Sequence, residues 1–353
     1  MSKSAVGVAS KGLSFSTVLK QSVGIDVSKD KFDVCYSERQ LGKDRIIATS
    51  GFKSTAKGFE DFWTWIKKHG KGSESALHFT MEATGVYYED LAYFLHSKSC
   101  NLSVILPTKF RQFAKSSDYK SKTDKIDAIL LAQMSLEKTL ELWSPPSASL
   151  HSLKRLDRER NAYIDKKTAA MNQLHAMNHS HAPDKQSIKR SEEHITFLKK
   201  VIANIEREIK KKVEQDAELK ERIDKICTIK GVGIITAVSV VAETNGFILF
   251  KNKAQLVSYA GYDVVEYESG SSVKKPGHIS KRGNSHIRRA LFCPAMGACK
   301  KNGLFEDLNR RICERTGIKM KGNVAAQRKL LVLIYTLYKK NEAFDSNCGK
   351  DKK

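Results

Sequence analysis

Apolar residues follow different rhythms along this chain. Between residues 22 and 50 the short runs SVGIDVS, KFDVCYS and RIIATS are rich in β-branched residues and predict three strands. TAKGFEDFWTWIKKHG then shifts to helical spacing, with Phe59, Phe62, Trp63 and Ile66 on one side. A strand ALHFTME, a helix YYEDLAYFLHSK and a strand LSVILP follow. SPPSAS, at Pro145 and Pro146, breaks the pattern. Beyond it two long helices are predicted. The second carries a seam of Ile195, Leu198, Ile202, Ile205 and Ile209, stepping by three and four. HAMNHSHAPDKQ separates them, so they form an antiparallel hairpin or a dimerising coiled coil. From about residue 226, ICTIKGVGIITAVSVVAE reads as two apolar helical segments around a Gly-Val-Gly turn. ALFCPAMGACKK and AAQRKLLVLIYTLYKK predict further apolar helices. DVVEYESGSSVKKPGHISKRGNSHIRR reads as a loop.

These patterns divide the chain into a polar leader (1–21), an α/β domain (22–147), a helical coiled-coil region (148–225), a mainly helical C-terminal domain (226–341) and a polar tail (342–353). The fold class is α/β plus all-α. Strands in series, then helices alternating with strands, is the order of an RNase H-like mixed-sheet domain. The Gly-Val-Gly turn looks like a helix-hairpin-helix element. There Lys230, Gly231 and Gly233 would bring backbone N–H groups up to a phosphate. A tight turn between packed helices fits it nearly as well.

Charge narrows the partners. The net charge of +23 points to a polyanion, nucleic acid first. A basic membrane-surface protein fits less well, because no strongly amphipathic terminal helix is present. The seven cysteines form no C-x-x-C pair, which argues against a disulfide framework or a zinc site and for a reducing cytoplasm. No secretory signal and no run of about 20 apolar residues is found.

Four carboxylates carry candidate chemistry. Asp26 interrupts the apolar strand GIDVS, where an unpaired carboxylate is costly. Glu82 ends the strand of TMEATG, and Asp124 and Asp127 stand three apart at a helix start, on one face. Carboxylates held close repel unless a cation lies between them. Oxygen ligands suit Mg²⁺ or Mn²⁺, and two such ions stabilise the attacking and leaving oxygens of a phosphoryl transfer. Singly, each has a structural use: Asp124 as an N-cap, Asp127 as a first-turn charge, Glu82 as a strand-end surface residue. Asp33 is expected to face solvent on the second strand.

EYESGSSVKKPGHISKRGNSHIRRALF holds the second constellation. Lys274, Lys275, Lys281, Arg282, Arg288 and Arg289 would grip phosphates or stabilise a pentacoordinate phosphorus around a serine nucleophile. Ser269, Ser271, Ser272 and Ser280 are the candidates, and a flexible DNA- or RNA-binding loop is the simpler reading.

Both constellations match one family. VGIDVSKDKFDV, MEATGVYYEDLAYFL, VILPTKFRQFAKS and KTDKIDAILLA resemble the RuvC-type DEDD domain of IS110-type insertion sequence transposases, including the IS1111 branch. IKGVGIITAVSVVAE, YAGY and ESGSSVKKPGHISKRGNSHIRRAL resemble their C-terminal transposase domain. The resemblance implies that Asp26, Glu82, Asp124 and Asp127 form a Mg²⁺-binding tetrad. It also implies that Ser269, in its Ser-Gly pair, forms a covalent link to a DNA phosphate. It implies a recombinase acting on element ends and target DNA, guided in some members by a structured RNA, and assembling as dimers and tetramers through the coiled-coil helices. Val264 stands where the family commonly has proline, and Glu268 where a small residue is common. The alternative is a metal-dependent RuvC-like junction nuclease in which water attacks.

Overall fold

The structure, a computed structural model, describes residues 18–40, 43–70, 77–119, 121–248, 250–269 and 273–345. It divides into two compact units, Met1–Pro145 and Pro146–Lys353.

The first unit is a mixed α/β layer structure. Strands β1 (Val18–Val27), β2 (Lys31–Gln40) and β3 (Lys43–Lys53) form an antiparallel meander. Helix α1 (Ala56–His69), β4 (Leu77–Glu82), α2 (Glu89–Ser97), β5 (Asn101–Ile105), α3 (Pro107–Lys115) and α4 (Asp124–Glu137) follow. The sheet order is β3-β2-β1-β4-β5, with β4 parallel to β1 and β5 parallel to β4. Strand β1 begins at Val18, so the last residues of the expected leader 1–21 belong to the sheet. Helix α3, over PTKFRQFAK, has no counterpart among the predicted elements. Pro107 starts it, and Phe110 and Phe113 bury beneath it.

Strand alternation sorts the side chains. Val23, Ile25 and Val27 of β1, with Phe32, Val34 and Tyr36 of β2, enter one core with Phe62, Trp63 and Ile66 of α1 and Leu91, Ala92 and Leu95 of α2. The opposite face receives α4, where Cys35 packs against Ala128, Ile129 and Ala132. Both ends of α4 are pinned. The Thr123 hydroxyl accepts from the Ile126 N–H at 3.2 Å. At the other end Lys20 donates to the Ser135 carbonyl, and Arg39 to that of Leu136 at 3.1 Å.

The second unit is mainly helical. Helices α5 (Ala148–Asn178) and α6 (Lys185–Glu214) pack on each other as a hairpin, joined by residues 179–184. Ile195, Leu198, Ile202, Ile205 and Ile209, the seam of the sequence, are all buried within the chain. Helices α7 (Ala217–Cys227), α8 (Ile234–Glu243), α9 (Lys253–Tyr259), α10 (Ser285–Ala298), α11 (Glu306–Thr316) and α12 (Lys319–Lys340) complete the unit. One core joins Leu153, Ile205, Ile209 and Val213 of the hairpin to residues of α7–α10 and α12. Towards the hairpin's tip a smaller cluster remains, of Ala170, Ile195 and Leu198. Ile209 is fully buried. Ile209→Ala is expected to cost about 3 kcal/mol in chemical denaturation.

The stretch read as a loop is not one. Strands β6 (Val264–Ser269) and β7 (Val273–Ile279) pair as an antiparallel ribbon, and α10 begins at Ser285. Among the described residues no helix is long and apolar enough to cross a membrane.

Candidate active site

A tight turn joins β1 to β2. The Ser28 N–H and hydroxyl both reach the Lys31 carbonyl, at 2.9 and 2.7 Å. This register sets Gly24 opposite Cys35 and Asp26 opposite Asp33. Residues directly opposite share a face, so Asp26 and Asp33 both lie on the side that α4 covers. In the parallel pair Gly24 is matched with Thr80, which puts Glu82 on that side as well. Asp124 and Asp127 occupy the first turn of α4. The cap is Thr123, so Asp124 does not serve as one. Asp127 is buried.

The four predicted carboxylates are therefore neighbours. Burial, then the charges of Asp127, Asp124, Glu82 and Asp33, push the Asp26 carboxyl up to about 7. Burial and Asp127 raise Glu82, against the pull of Lys122, Arg111 and a bond from Thr84. Asp127 is raised by burial, and Lys122 opposes the shift. Two lysines occupy the rim. Lys31 Nζ lies 3.0 Å from both Asp33 and Asp124, and Lys122 Nζ lies 3.6 Å from Asp127. Asp33, expected to face solvent, is instead 22% exposed and paired with Lys31.

A divalent cation suits this donor set. The cluster is all oxygen, carries like charges, and holds Asp26 half-buried with no ion-paired cation among the described residues. Among the described residues no three carboxylate, imidazole or thiolate groups lie close enough together to ligate one ion.

The second constellation is arranged differently. Ser269 ends β6, its backbone opposite Val273, and Lys274 and Lys275 lie on β7. Their side chains, and Ser271 and Ser272, lie outside the described residues. Lys281, with φ +52°, and Arg282 are exposed in the following turn. Arg288 and Arg289 have internal partners. Arg288 donates to the Ala260 carbonyl at 2.8 Å, and Arg289 holds Asp165 in a fork at 2.8 and 2.7 Å. Ser280 donates to Asp263 at 2.7 Å. In the α7–α8 turn Lys230 is exposed, Gly231 has φ +92° and Gly233 caps α8. The positive φ explains Gly231 alone. A Cβ on Gly233 would meet nothing within 4 Å.

Two family models match. A transposase model of the DEDD, IS110 type covers residues 23–183, and a model of the IS116/IS110/IS902 transposase family covers residues 223–309. The chain belongs to the IS110 family of transposases. The Moraxella bovis pilin gene-inverting protein is 28% identical over 92% of this chain and 98% of its own length. Its Moraxella lacunata counterpart matches to the same extent. The transposase for insertion sequence element IS1328 of Yersinia enterocolitica is 24% identical over 54% of this chain and 61% of its own. The first IS110 model thus spans the β1, β4 and α4 positions where the carboxylates meet, and the second spans the β6–β7 ribbon.

Asp33, Lys31 and Lys122 were not among the predicted site residues of this transposase. The short β1–β2 turn was the available signal, since it fixes the register that pairs Asp33 with Asp26.

Proposed function

We propose that this transposase cuts and rejoins DNA with a divalent-metal carboxylate site and a serine nucleophile, on a RuvC-type RNase H-like domain. The observation that carries the proposal is the gathering of Asp26, Glu82, Asp124 and Asp127 on one face of the sheet, with the Asp26 carboxyl pushed up to about 7. These four would hold Mg²⁺ or Mn²⁺, which supplies charge stabilisation to the phosphorus and to the attacking and leaving oxygens. Lys31 and Lys122 would give up their carboxylates to the cation and turn to phosphate.

Ser269 is the proposed nucleophile. Its Oγ loses a proton and bonds to phosphorus. The strand's P–O bond breaks, and the departing DNA oxygen takes up a proton. The phosphoserine ester retains the energy of the broken bond, so rejoining by a DNA hydroxyl needs no ATP. Lys281 and Arg282, exposed and without a side-chain partner among the described residues, would hold the DNA backbone, whereas Arg288 and Arg289 would act in the scaffold. The proposed partners are element ends, target DNA, a structured guide RNA and further copies of the chain. The relatives named for pilin gene inversion support recombination between two sites as the overall outcome.

Covalent trapping tests the serine. Wild type with Mg²⁺ and element-end DNA is expected to leave a protein–DNA adduct on a denaturing gel. Ser269→Ala is expected to leave none while its DNA Kd stays within about two-fold. Cleavage by wild type without any adduct would instead identify water as the nucleophile, as in a junction nuclease.

A further inference from the structure

Two strands alone are marginally stable in water, so the β6–β7 ribbon takes its orientation from its base. There the segment Tyr259–Asp263 enters and Ser280–Asn284 leaves. The two are laced together. Lys281 N–H donates to the Gly261 carbonyl at 3.1 Å, Ser280 N–H to Asp263 at 2.8 Å, and Asn284 N–H to Tyr259 at 2.7 Å. The approach is so close that a Cβ on Gly283 would stand 2.4 Å from the Tyr259 carbonyl oxygen.

Beneath this lacing lies Glu243, whose side chain is 0% exposed. It receives a fork from Arg158 of α5 at 2.7 and 3.0 Å. It also receives the Asn284 Nδ2 at 2.7 Å, and the Tyr259 hydroxyl donates to its backbone carbonyl at 3.1 Å. The Asn284 Oδ1 meanwhile accepts from the N–H groups of His286 and Ile287, at 2.9 and 3.2 Å, and so caps α10. Glu243 is a poor choice for stability. It is a buried carboxylate at the last position of the apolar helix α8, the end at which the helix dipole disfavours negative charge. What the arrangement achieves is geometric: one carboxylate ties α5, α8 and the start of α10 to the point where the ribbon leaves the body.

We infer that Glu243, Arg158 and Asn284 are positioning residues that fix the orientation of the ribbon carrying Ser269. The inference rests on the serine reading above. Asn284 both ends the ribbon's exit turn and caps α10, so loosening its bond to Glu243 frees the base while leaving the core packed.

Asn284→Ser separates these duties, because serine still caps a helix but cannot span to Glu243. In the full-length protein, adduct formation at saturating DNA is expected to slow at least ten-fold, with DNA Kd within about two-fold of wild type. Amide exchange at 264–269 and 273–279 is expected to speed up, with that of α12 unchanged. Arg158→Lys, which keeps the charge and loses the fork, is expected to fall between. Unchanged exchange, or faster exchange with an unchanged adduct rate, would overturn the inference. If wild type cleaves without any adduct, the serine reading fails by itself. The exchange data then still decide whether the three residues anchor the ribbon.

Discussion

Asp26→Asn is expected to lose at least about 1000-fold in Mg²⁺-dependent DNA cleavage and, in the absence of metal, to be more stable than wild type at neutral pH. The two effects share a cause. Asp26 sits among Asp127, Asp124, Glu82 and Asp33, and these charges together with burial raise its carboxyl from an ordinary 3.8 to about 7. A carboxyl raised on folding binds its proton more tightly in the native state than in the unfolded chain. Stability conferred by the protonated form is complete below about pH 4 and drains away as the pH rises towards 7. Above 7 the loss is constant. Because the group is partly exposed, solvent screening reduces the full effect, and about 2 kcal/mol is a reasonable size. Asparagine has nothing to titrate, so between pH 5 and pH 8 the variant's thermal midpoint in EDTA should fall less than that of wild type, the remaining fall coming from Glu82 and Asp127, whose carboxyls are also raised. Calorimetry at those two pH values, beside a cleavage assay, measures both halves. A variant that still cleaves at the wild-type rate would remove Asp26 from the site.

Gly24→Ala is expected to destabilise the first unit by at least about 3 kcal/mol, enough to make much of the protein insoluble. A methyl group there would lie 2.0 Å from the Ala128 carbonyl oxygen and 2.3 Å from the Ala132 nitrogen. Both are backbone atoms of α4, so no side chain can swing aside. The helix cannot slide cheaply either, being capped by Thr123 and tethered by Lys20 and Arg39. Any displacement that makes room carries Asp127, the residue before Ala128, away from Asp26. Surviving folded protein should therefore cleave poorly as well. Denaturant unfolding gives the stability. A midpoint matching wild type would mean that α4 does not touch the sheet at Gly24.

The parts of this architecture with strong local signals were readable from the amino acids. The anomaly of Asp26 in an apolar strand led to a face where carboxylates gather, and the steps of three and four from Ile195 to Ile209 led to a buried seam. What escaped was set by register or by cross-element bonds. Asp33 looked like a solvent residue because its own strand says nothing of what stands opposite. The β6–β7 ribbon was hidden by mixed polar patterning, and Pro276 in β7 discourages a strand reading. Helix α11 buries no residue, so no apolar stripe announced it. Glu243 stands at the end of an apolar helical segment and carries no local signal. Only its partners, Arg158 and Asn284, 85 and 41 residues away along the chain, give it meaning.

The α5–α6 hairpin is a lever. Its base is held by the large core and, as far along as Asp165, by the fork from Arg289 of α10, while from Asp165 to Asn178 the helix rises about 20 Å past the smaller cluster. On an arm of that length, a rotation of about 5° at the base carries the tip about 2 Å. Held at its base and lightly packed towards its tip, the hairpin is geometrically an arm on which a small change of angle becomes a larger change of position.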